Sequence, residues 1–329
     1  MKAMWCDRWG GIEDLQLRDG PPPPPRPGAV RIAVHAAGVS WATQLVVTGR
    51  YQRRPPLPFV PGTEIAGTVT DPGTSGLAPG ARVCAVLDWG GLAQEAVADA
   101  IHVIPVPDGL DLAAAVALPI SYATAAAALM WRGRLQPGEW VLVHGASGGV
   151  GLAAVEVARA LGARVIARAG LAKHPALLAR GAEIVLDSAE PFRDAVLTAT
   201  GGVHLVLDPL GGAVFDESLR CLRDGGTLLT VGYASGAIPQ LGVNLLLLKN
   251  IAVAGLNWGT YVGWSPEDGR HGHAPRVRAL WAQLMGWWEA GLIAPTVHAR
   301  YGLQDYAAAM AQVRDRQVLG RVVVLPNGP

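Results

Sequence analysis

An α/β fold, in which a doubly wound parallel sheet is inserted into a β-rich domain, is what this sequence predicts, on three observations. Six short apolar segments between residues 140 and 255 alternate with helix-sized connections, the rhythm of a parallel sheet covered on both faces. The hundred residues ahead of them read as period-2 strands broken by Pro and Gly. The chain then returns, after a looser stretch, to a final apolar strand.

The bulk composition agrees. A chain of 329 residues makes roughly two domains. Half of it is apolar and 16% charged, which supplies a large core and excludes global disorder. Lys plus Arg number 27 and Asp plus Glu 26, a net charge of +1. That balance gives no electrostatic reason for nucleic acid or an anionic membrane as main partner. Cys6, Cys84 and Cys221 are far apart with no CxxC, so neither a disulfide framework nor a thiolate zinc cluster is expected. Residues 1–8 meet charge before any apolar stretch forms, unlike a signal peptide. A soluble cytoplasmic protein is the expectation.

In chain order, Val30 to Ala36 and Glu64 to Val69 alternate as strands. The Pro21 to Pro25 run precedes them, and Gly49 and the Pro55-Pro56-Leu57-Pro58 cluster separate them. The five prolines suit a rigid surface connector better than a polyproline ligand. Leu112 to Trp131 is the one run that could mimic a membrane span. Pro119 at its centre, with Ser121, Tyr122 and Thr124, suggests a buried pair of short helices. The six strand candidates follow: Trp140 to His144, Ala163 to Ala167, Glu183 to Leu186, His204 to Leu207, Gly226 to Val231 and Asn250 to Gly255. A helix is expected from Pro275 to Ala290 and a last strand at Gly320 to Leu325. The expected domains are therefore 1–121, 122–256 and a return segment, 257–329, that completes the first.

Between the first strand of that series and its helix lies Gly145-Ala146-Ser147-Gly148-Gly149-Val150-Gly151. It reads as a dinucleotide fingerprint, Ala146-x-Gly148-x-x-Gly151, with Ala in the first glycine's place. Glycines there let the backbone turn tightly and approach a pyrophosphate seated on the helix N-terminus. The strand before and the helix after supply the context that the motif demands. NAD sites place a carboxylate about 20 residues further on, whereas NADP sites place Arg nearby. Twenty residues beyond Gly148 is Arg168, Lys173 follows, and no carboxylate occurs between Glu156 and Glu183. The expected cofactor is NADPH, with Arg168 and Lys173 reading its 2′-phosphate. The bland alternative is that both are solvated surface charges.

A catalytic zinc needs three protein ligands. Ser40 and Thr63 stand where a Cys and a His would fall, and no closely spaced cysteines follow residue 85. His271-Gly272-His273, in an expected loop, makes a poor metal pair. No metal is expected.

With those residues in view, the chain resembles the zinc-independent NADPH:quinone oxidoreductase branch of the medium-chain dehydrogenase/reductase family. The resemblance is carried by Gly49-Arg50-Tyr51 with Pro58 to Glu64, by Leu118-Pro119 to Thr124, by Val141 to Gly151, by Leu207 to Gly212 and by Asn244 to Gly259. It implies a GroES-like catalytic domain, an inserted Rossmann domain, and hydride transfer to a quinone or related electron-poor acceptor. It also implies that Thr124 meets the nicotinamide amide, that Gly148, Gly149 and Val150 hold the pyrophosphate, with Ala146 and Ser147 also at the cofactor, and that Lys173 meets the 2′-phosphate. Gly232 and Tyr233 would border the cofactor and Arg321 would close over it. Ser40 and Thr43 stand where relatives usually carry Asn and Asp, which changes the polar lining of the nicotinamide pocket. Relatives often have Tyr where Ser188 stands and Ser where Gly170 stands.

Such chemistry asks mainly for positioning, plus a donor to the developing oxyanion. Tyr51 is the expected donor, packing being its alternative role, and Tyr122 is a weaker one. Trp41, Trp89 and Trp258 could form a flat slot, or serve the core. Enone or enoyl-thioester reduction is the alternative activity. A cofactor-binding protein with little turnover, RNA-associated in one version, is a further one, although Arg50, Arg53 and Arg54 are the only basic cluster. Finally, the apolar Ile238 to Val243 segment beside the last strand of the parallel sheet suggests a homodimer formed along that edge.

Overall fold

The computed structural model describes residues 1–328, which form two compact units. The first unit holds Met1–Ile120, Gly259–Ala282 and residues 295–328; the second holds Ser121–Trp258 and Gln283–Ala294.

In the first unit β1 (Lys2–Trp5) and β2 (Gln16–Asp19) form a hairpin-like antiparallel pair. The proline run then crosses the exposed surface to β3 (Ala29–Val39). β3 is the hub, and Val30, Ile32 and Val34, all 0% exposed, point from one of its faces into the core. It pairs with β4 (Glu64–Asp71) and β6 (Glu95–Asp99). Outward from β4 lie β5 (Arg82–Val86) and β7 (Val103–Pro105).

The second unit is a six-stranded parallel sheet with the order β10-β9-β8-β11-β12-β13. Its strands are β8 (Trp140–Val143), β9 (Arg164–Ala169), β10 (Ile184–Asp187), β11 (Val203–Asp208), β12 (Leu222–Thr230) and β13 (Ala252–Gly255). All six sequence candidates are strands. Val141, Leu142, Val165, Ile166, Val206 and Leu228 are fully buried, as sheets covered on both faces require. The order reverses between β8 and β11, which places a switch point where the carboxyl ends of those strands diverge. Back in the first unit, β15 (Arg321–Leu325) inserts between β14 (Val297–Gly302) and β3.

Three expectations need correction. Leu112–Arg132 is one helical run rather than two short helices; a π-turn over Leu118–Tyr122 absorbs Pro119. It is long and apolar enough to cross a membrane, but 89% of its most apolar window is buried inside the protein, as in a core helix. The later helix, Arg270–Glu289, starts five residues before Pro275 and takes His271 and His273 out of the expected loop. Asp268 Oδ1 accepts the Arg270 N–H at 3.2 Å and starts the helix there.

The third concerns the return segment. Gln283–Ala294 belongs with the second unit instead of the first, and buried Glu156 shows why. Its Oε2 accepts the Tyr122 hydroxyl at 2.7 Å and the Ala294 N–H at 2.8 Å, while Arg180 donates to its Oε1 at 2.8 Å. Arg180 also donates to the Ala294 carbonyl and Arg159 to that of Leu292. A carboxylate in an apolar setting stays only where such donors satisfy it. Tyr122 is spent in this clasp.

Candidate functional site

At the switch point the glycine turn closes between β8 and the Gly149–Ala160 helix. Gly145 has φ +57°, the left-handed region, so the tight turn falls one residue before Ala146. That explains why Ala is accepted at position 146, where it is fully buried and its N–H donates to the Arg168 carbonyl at 3.0 Å. A Cβ on Gly151 would overlap the Gly145 carbonyl oxygen, whereas one on Gly148 would meet nothing in the chain closer than 3.4 Å. Gly151 thus serves helix–strand packing, and Gly148 keeps the outer side of the turn open. Gly148 stands at the N-cap, and the first described N–H bonded back to it is that of Leu152, at 2.8 Å. The N–H groups of Gly149, Val150 and Gly151 are left for a ligand. An anion is favoured there, with no acidic residue in the first turn to compete.

Next to this cradle, the structure corrects the role expected of Arg168. The residue is only 4% exposed. Its Nη2 donates to the carbonyls of Glu190, Ser188 and Asp187 at 2.9, 3.1 and 3.4 Å, and its guanidinium lies 4.0 Å over the Phe192 ring. Nη1 faces His144 Nδ1 at 3.4 Å. His144 Nε2 is 2.7 Å from Ser218 Oγ, whose own proton goes to the Val214 carbonyl at 2.6 Å. The protons can therefore run only one way, from Arg168 to His144 to Ser218 to Val214. Burial, then the Arg168 charge, push His144 down to about 3, so it is neutral. Burial lowers Arg168 as well. The arginine braces the loop after β10 from beneath and is committed to it, because a buried guanidinium must satisfy its donors. Lys173, half-buried in the turn after β9, remains the candidate phosphate contact.

On the other side of the switch point, Asp208 ends β11 fully buried and accepts the N–H groups of Leu210 and Gly211 at 2.8 and 2.9 Å. That turn and the Val231-Gly232-Tyr233 segment are bonded together, Val231 N–H to Asp208 O and Ala234 N–H to Pro209 O. Gly232 and Tyr233 so lie at the carboxyl ends of the strands with the glycine turn. Thr124 is 7% exposed on the Leu112–Arg132 helix.

The first unit carries a small pocket of its own. It is lined by Ala42, Thr43 and Val46 of the Trp41–Val47 helix, by Tyr51 and Pro61-Gly62-Thr63, and by Asp88, Trp89 and Trp264. Burial raises the Tyr51 phenol pKa, so it is a protonated donor. Asp88 Oδ1 accepts from Arg53 at 2.8 Å and Arg270 at 2.9 Å. Burial alone would raise this carboxyl, but the hydrogen bond from Arg53 and the charge of Arg270 hold it below the usual range. Arg53 also stacks over Trp89 at 5.0 Å. Of the expected tryptophan slot only Trp89 lines the pocket. Trp258 lies in the second unit against Trp131, and Trp264, without signal in the sequence, supplies the other indole.

Ser40 holds the N-cap position of the Trp41–Val47 helix without a side-chain cap bond. Arg321, expected to close over the cofactor, is largely buried beside Glu64. It forms a buried ion pair with Glu64, in space that Gly38 leaves by lacking a Cβ. The described residues contain no group of three or more His, Cys, Asp or Glu placed to hold a metal ion.

Comparison with known proteins agrees with this architecture. The alcohol dehydrogenase GroES-like domain model matches residues 26–108 and the zinc-binding dehydrogenase model residues 149–269. Quinone oxidoreductase-like protein 2 of Mus musculus is 37% identical over 319 residues, 95% of this chain and 89% of that protein. The human synaptic vesicle membrane protein VAT-1 homolog is 32% identical over 99% of this chain and 87% of its own length. Among solved structures, the quinone oxidoreductase of Thermus thermophilus, also solved with NADPH, superposes with a TM-score of 0.84 at 35% identity, covering 99% of this chain and 100% of that one. The chain belongs to the medium-chain dehydrogenase/reductase family, in the branch that gathers the quinone oxidoreductases.

Proposed function

We propose that the protein is an NADPH-dependent, zinc-independent oxidoreductase that delivers hydride to a quinone or related electron-poor acceptor. The observation that carries the cofactor half is the open cradle at Gly148, with the unspent N–H groups of Gly149 to Gly151 beneath it. Those donors hold the pyrophosphate, Lys173 meets the 2′-phosphate, and Gly232, Tyr233 and Thr124 border the nicotinamide end. Bound NADPH supplies the hydride. The chain's own task is to fix the acceptor and to stabilise the oxygen on which charge develops. Tyr51, with Trp89 and Trp264, lines the small pocket of the first unit and offers a phenol proton toward the acceptor. Zinc independence rests on Ser40 and Thr63, whose hydroxyls are poor zinc ligands.

The deciding experiment is a panel of NADPH oxidation with quinones, alkenals and an enoyl-CoA. Quinone turnover is the expected result. Preference for an alkenal or the thioester would select the enone reading, and no turnover with any acceptor would select a cofactor-binding role. Three buried free thiols suit a reducing, cytoplasmic setting.

A homodimer is part of the proposal. Strand β13 is the edge of its sheet, and Val243, Leu247 and Leu248 beside it are 74%, 78% and 74% exposed. An apolar ridge next to an open strand edge suits a second copy. A mass by light scattering near the 34.3 kDa of one chain would refute it.

A further inference from the structure

At the end of the parallel sheet opposite the glycine turn lies a polar recess of about 260 Å³, formed wholly within the second unit. Glu139 enters it from the turn before β8, His204 from the start of β11, and Arg223 and Asp224 from the start of β12. Arg134, just after the Leu112–Arg132 helix, lines it as well. Gly133, Gly225 and Gly226 contribute no side chains, which leaves the space between the charged groups open. Among the described residues neither Arg134 nor Arg223 makes an ion pair, although two carboxylates line the same recess.

The proton count at His204 shows what that space lacks. Its Nδ1 is 3.1 Å from the Trp140 backbone nitrogen and its Nε2 is 2.6 Å from Arg223 Nη1. Both partners are donors only, and an imidazole has one acceptor nitrogen when neutral and none when charged. One contact is therefore mismatched in either tautomer. The Trp140 N–H is fixed at the head of a buried strand, so it keeps Nδ1 and the ring proton goes to Nε2. Nε2–H and the Arg223 guanidinium then converge as two donors with no acceptor between them. Glu139 does not fill that role, because its Oε1 stays 3.9 Å from Nε2 while its Oε2 takes the Gln136 N–H at 2.9 Å.

We propose that this recess binds a small oxyanion that still carries a proton, inorganic phosphate being the type. One anionic oxygen accepts from His204 Nε2–H and from Arg223, whose exposed side chain is free to turn, and the mismatch is removed. Arg134 supplies a second guanidinium, the group best suited to an oxyanion. The hydroxyl of the anion donates to Glu139 Oε1, the carboxylate oxygen that takes no hydrogen bond within the chain. A carboxylate at the site repels any anion that cannot donate to it, so the arrangement selects phosphate against sulfate. The ligand is no reactant. It sits at the amino ends of β8, β11 and β12, whereas the cofactor cradle lies at the carboxyl ends.

Isothermal titration with inorganic phosphate, at constant ionic strength and with NADPH present to fill the cradle, tests the assignment. Phosphate should bind at one per chain. Sulfate should bind at least about ten-fold more weakly, the worth of roughly one hydrogen bond to a charged group. Arg223→Gln, at an exposed position, should abolish phosphate binding and leave NADPH affinity unchanged. Glu139→Gln should bring sulfate up toward phosphate, since an amide can donate where the carboxylate could not. No phosphate binding, equal binding of phosphate and sulfate by the unmodified protein, or phosphate binding that survives Arg223→Gln would each overturn the proposal. The last result would mean that phosphate sits in the cofactor cradle or binds as an adventitious ion only. The Arg223→Gln comparison reads the same with and without NADPH, so the test stands apart from the cofactor reading.

Discussion

The cofactor cradle of the second unit and the pocket of the first are built from different materials. The cradle is backbone: a left-handed glycine, an open glycine and three unspent N–H groups within seven consecutive residues. The pocket is side chain, gathered from residues 42–51, 61–63, 88–89 and 264. A backbone site tolerates few residue types at each position and so leaves a motif. A side-chain site sets only what each residue touches, and that depends on packing between segments distant in the chain.

The contrast can be broken most severely at Gly151. Gly151→Ala must displace the Gly145 carbonyl, and overlap of this kind in a packed element costs roughly 1–3 kcal/mol or more. Calorimetry should show a lower Tm, and titration a loss of NADPH binding. Gly148→Ala has room within the chain, so it should keep its Tm and lose affinity alone. Equal behaviour of the two would mean that the glycines share one structural role.

Next in size is Arg168→Met. Removing a buried guanidinium orphans carbonyls of the 187–190 loop and His144 Nδ1, a penalty of about 1–3 kcal/mol for each buried group left unsatisfied. NADPH and NADH should weaken together. Lys173→Ala should instead weaken NADPH alone, by roughly 1.5–3 kcal/mol if it makes one charge-assisted bond. An Arg168→Met variant of normal Tm that loses only NADPH would restore the arginine as a phosphate reader.

A pH titration compares the two units directly. His144 in the second and His102 in the first are buried and depressed to about 3 and about 4 from 6.5, burial being the main cause in both and a neighbouring arginine the second. The unfolded chain binds these protons first. Stability from this source is complete above about pH 6.5 and falls as pH drops toward 4, by up to about 1.4 kcal/mol per unit for each histidine. Urea unfolding across that range, repeated with His102→Asn and His144→Asn, should show a shallower slope in each variant. A flat wild-type profile would refute the burial of both rings. The smallest expected effect is that of chelation: quinone turnover should survive it, and a loss restored by zinc would overturn the zinc-independent reading.

The same contrast decides what could be read in advance. β8, β9 and β11 announced themselves most clearly, because strands buried on both faces must be nearly continuously apolar. β14 did not, since Val-His-Ala-Arg-Tyr-Gly leaves its alternate residues half in water. Arg168 was placed correctly in the chain and wrongly in role. Spacing from the glycines locates the residue, but whether its side chain turns outward depends on Phe192, His144 and the 187–190 carbonyls, none of which spacing can report. Trp264 carries no pattern at all.

The Glu156 clasp also bears on how the molecule is made. Chains leave the ribosome at about 5–20 residues per second and fold from the N-terminal side. The second unit has its whole sheet once residue 255 has emerged, yet Ala294 must still arrive to satisfy Glu156. The first unit waits longer, because β3, near its start, is flanked by a strand spanning residues 321–325. A nascent chain paused between those points exposes the open side of its hub strand, so the order of synthesis makes the first unit, although translated earliest, the last to close.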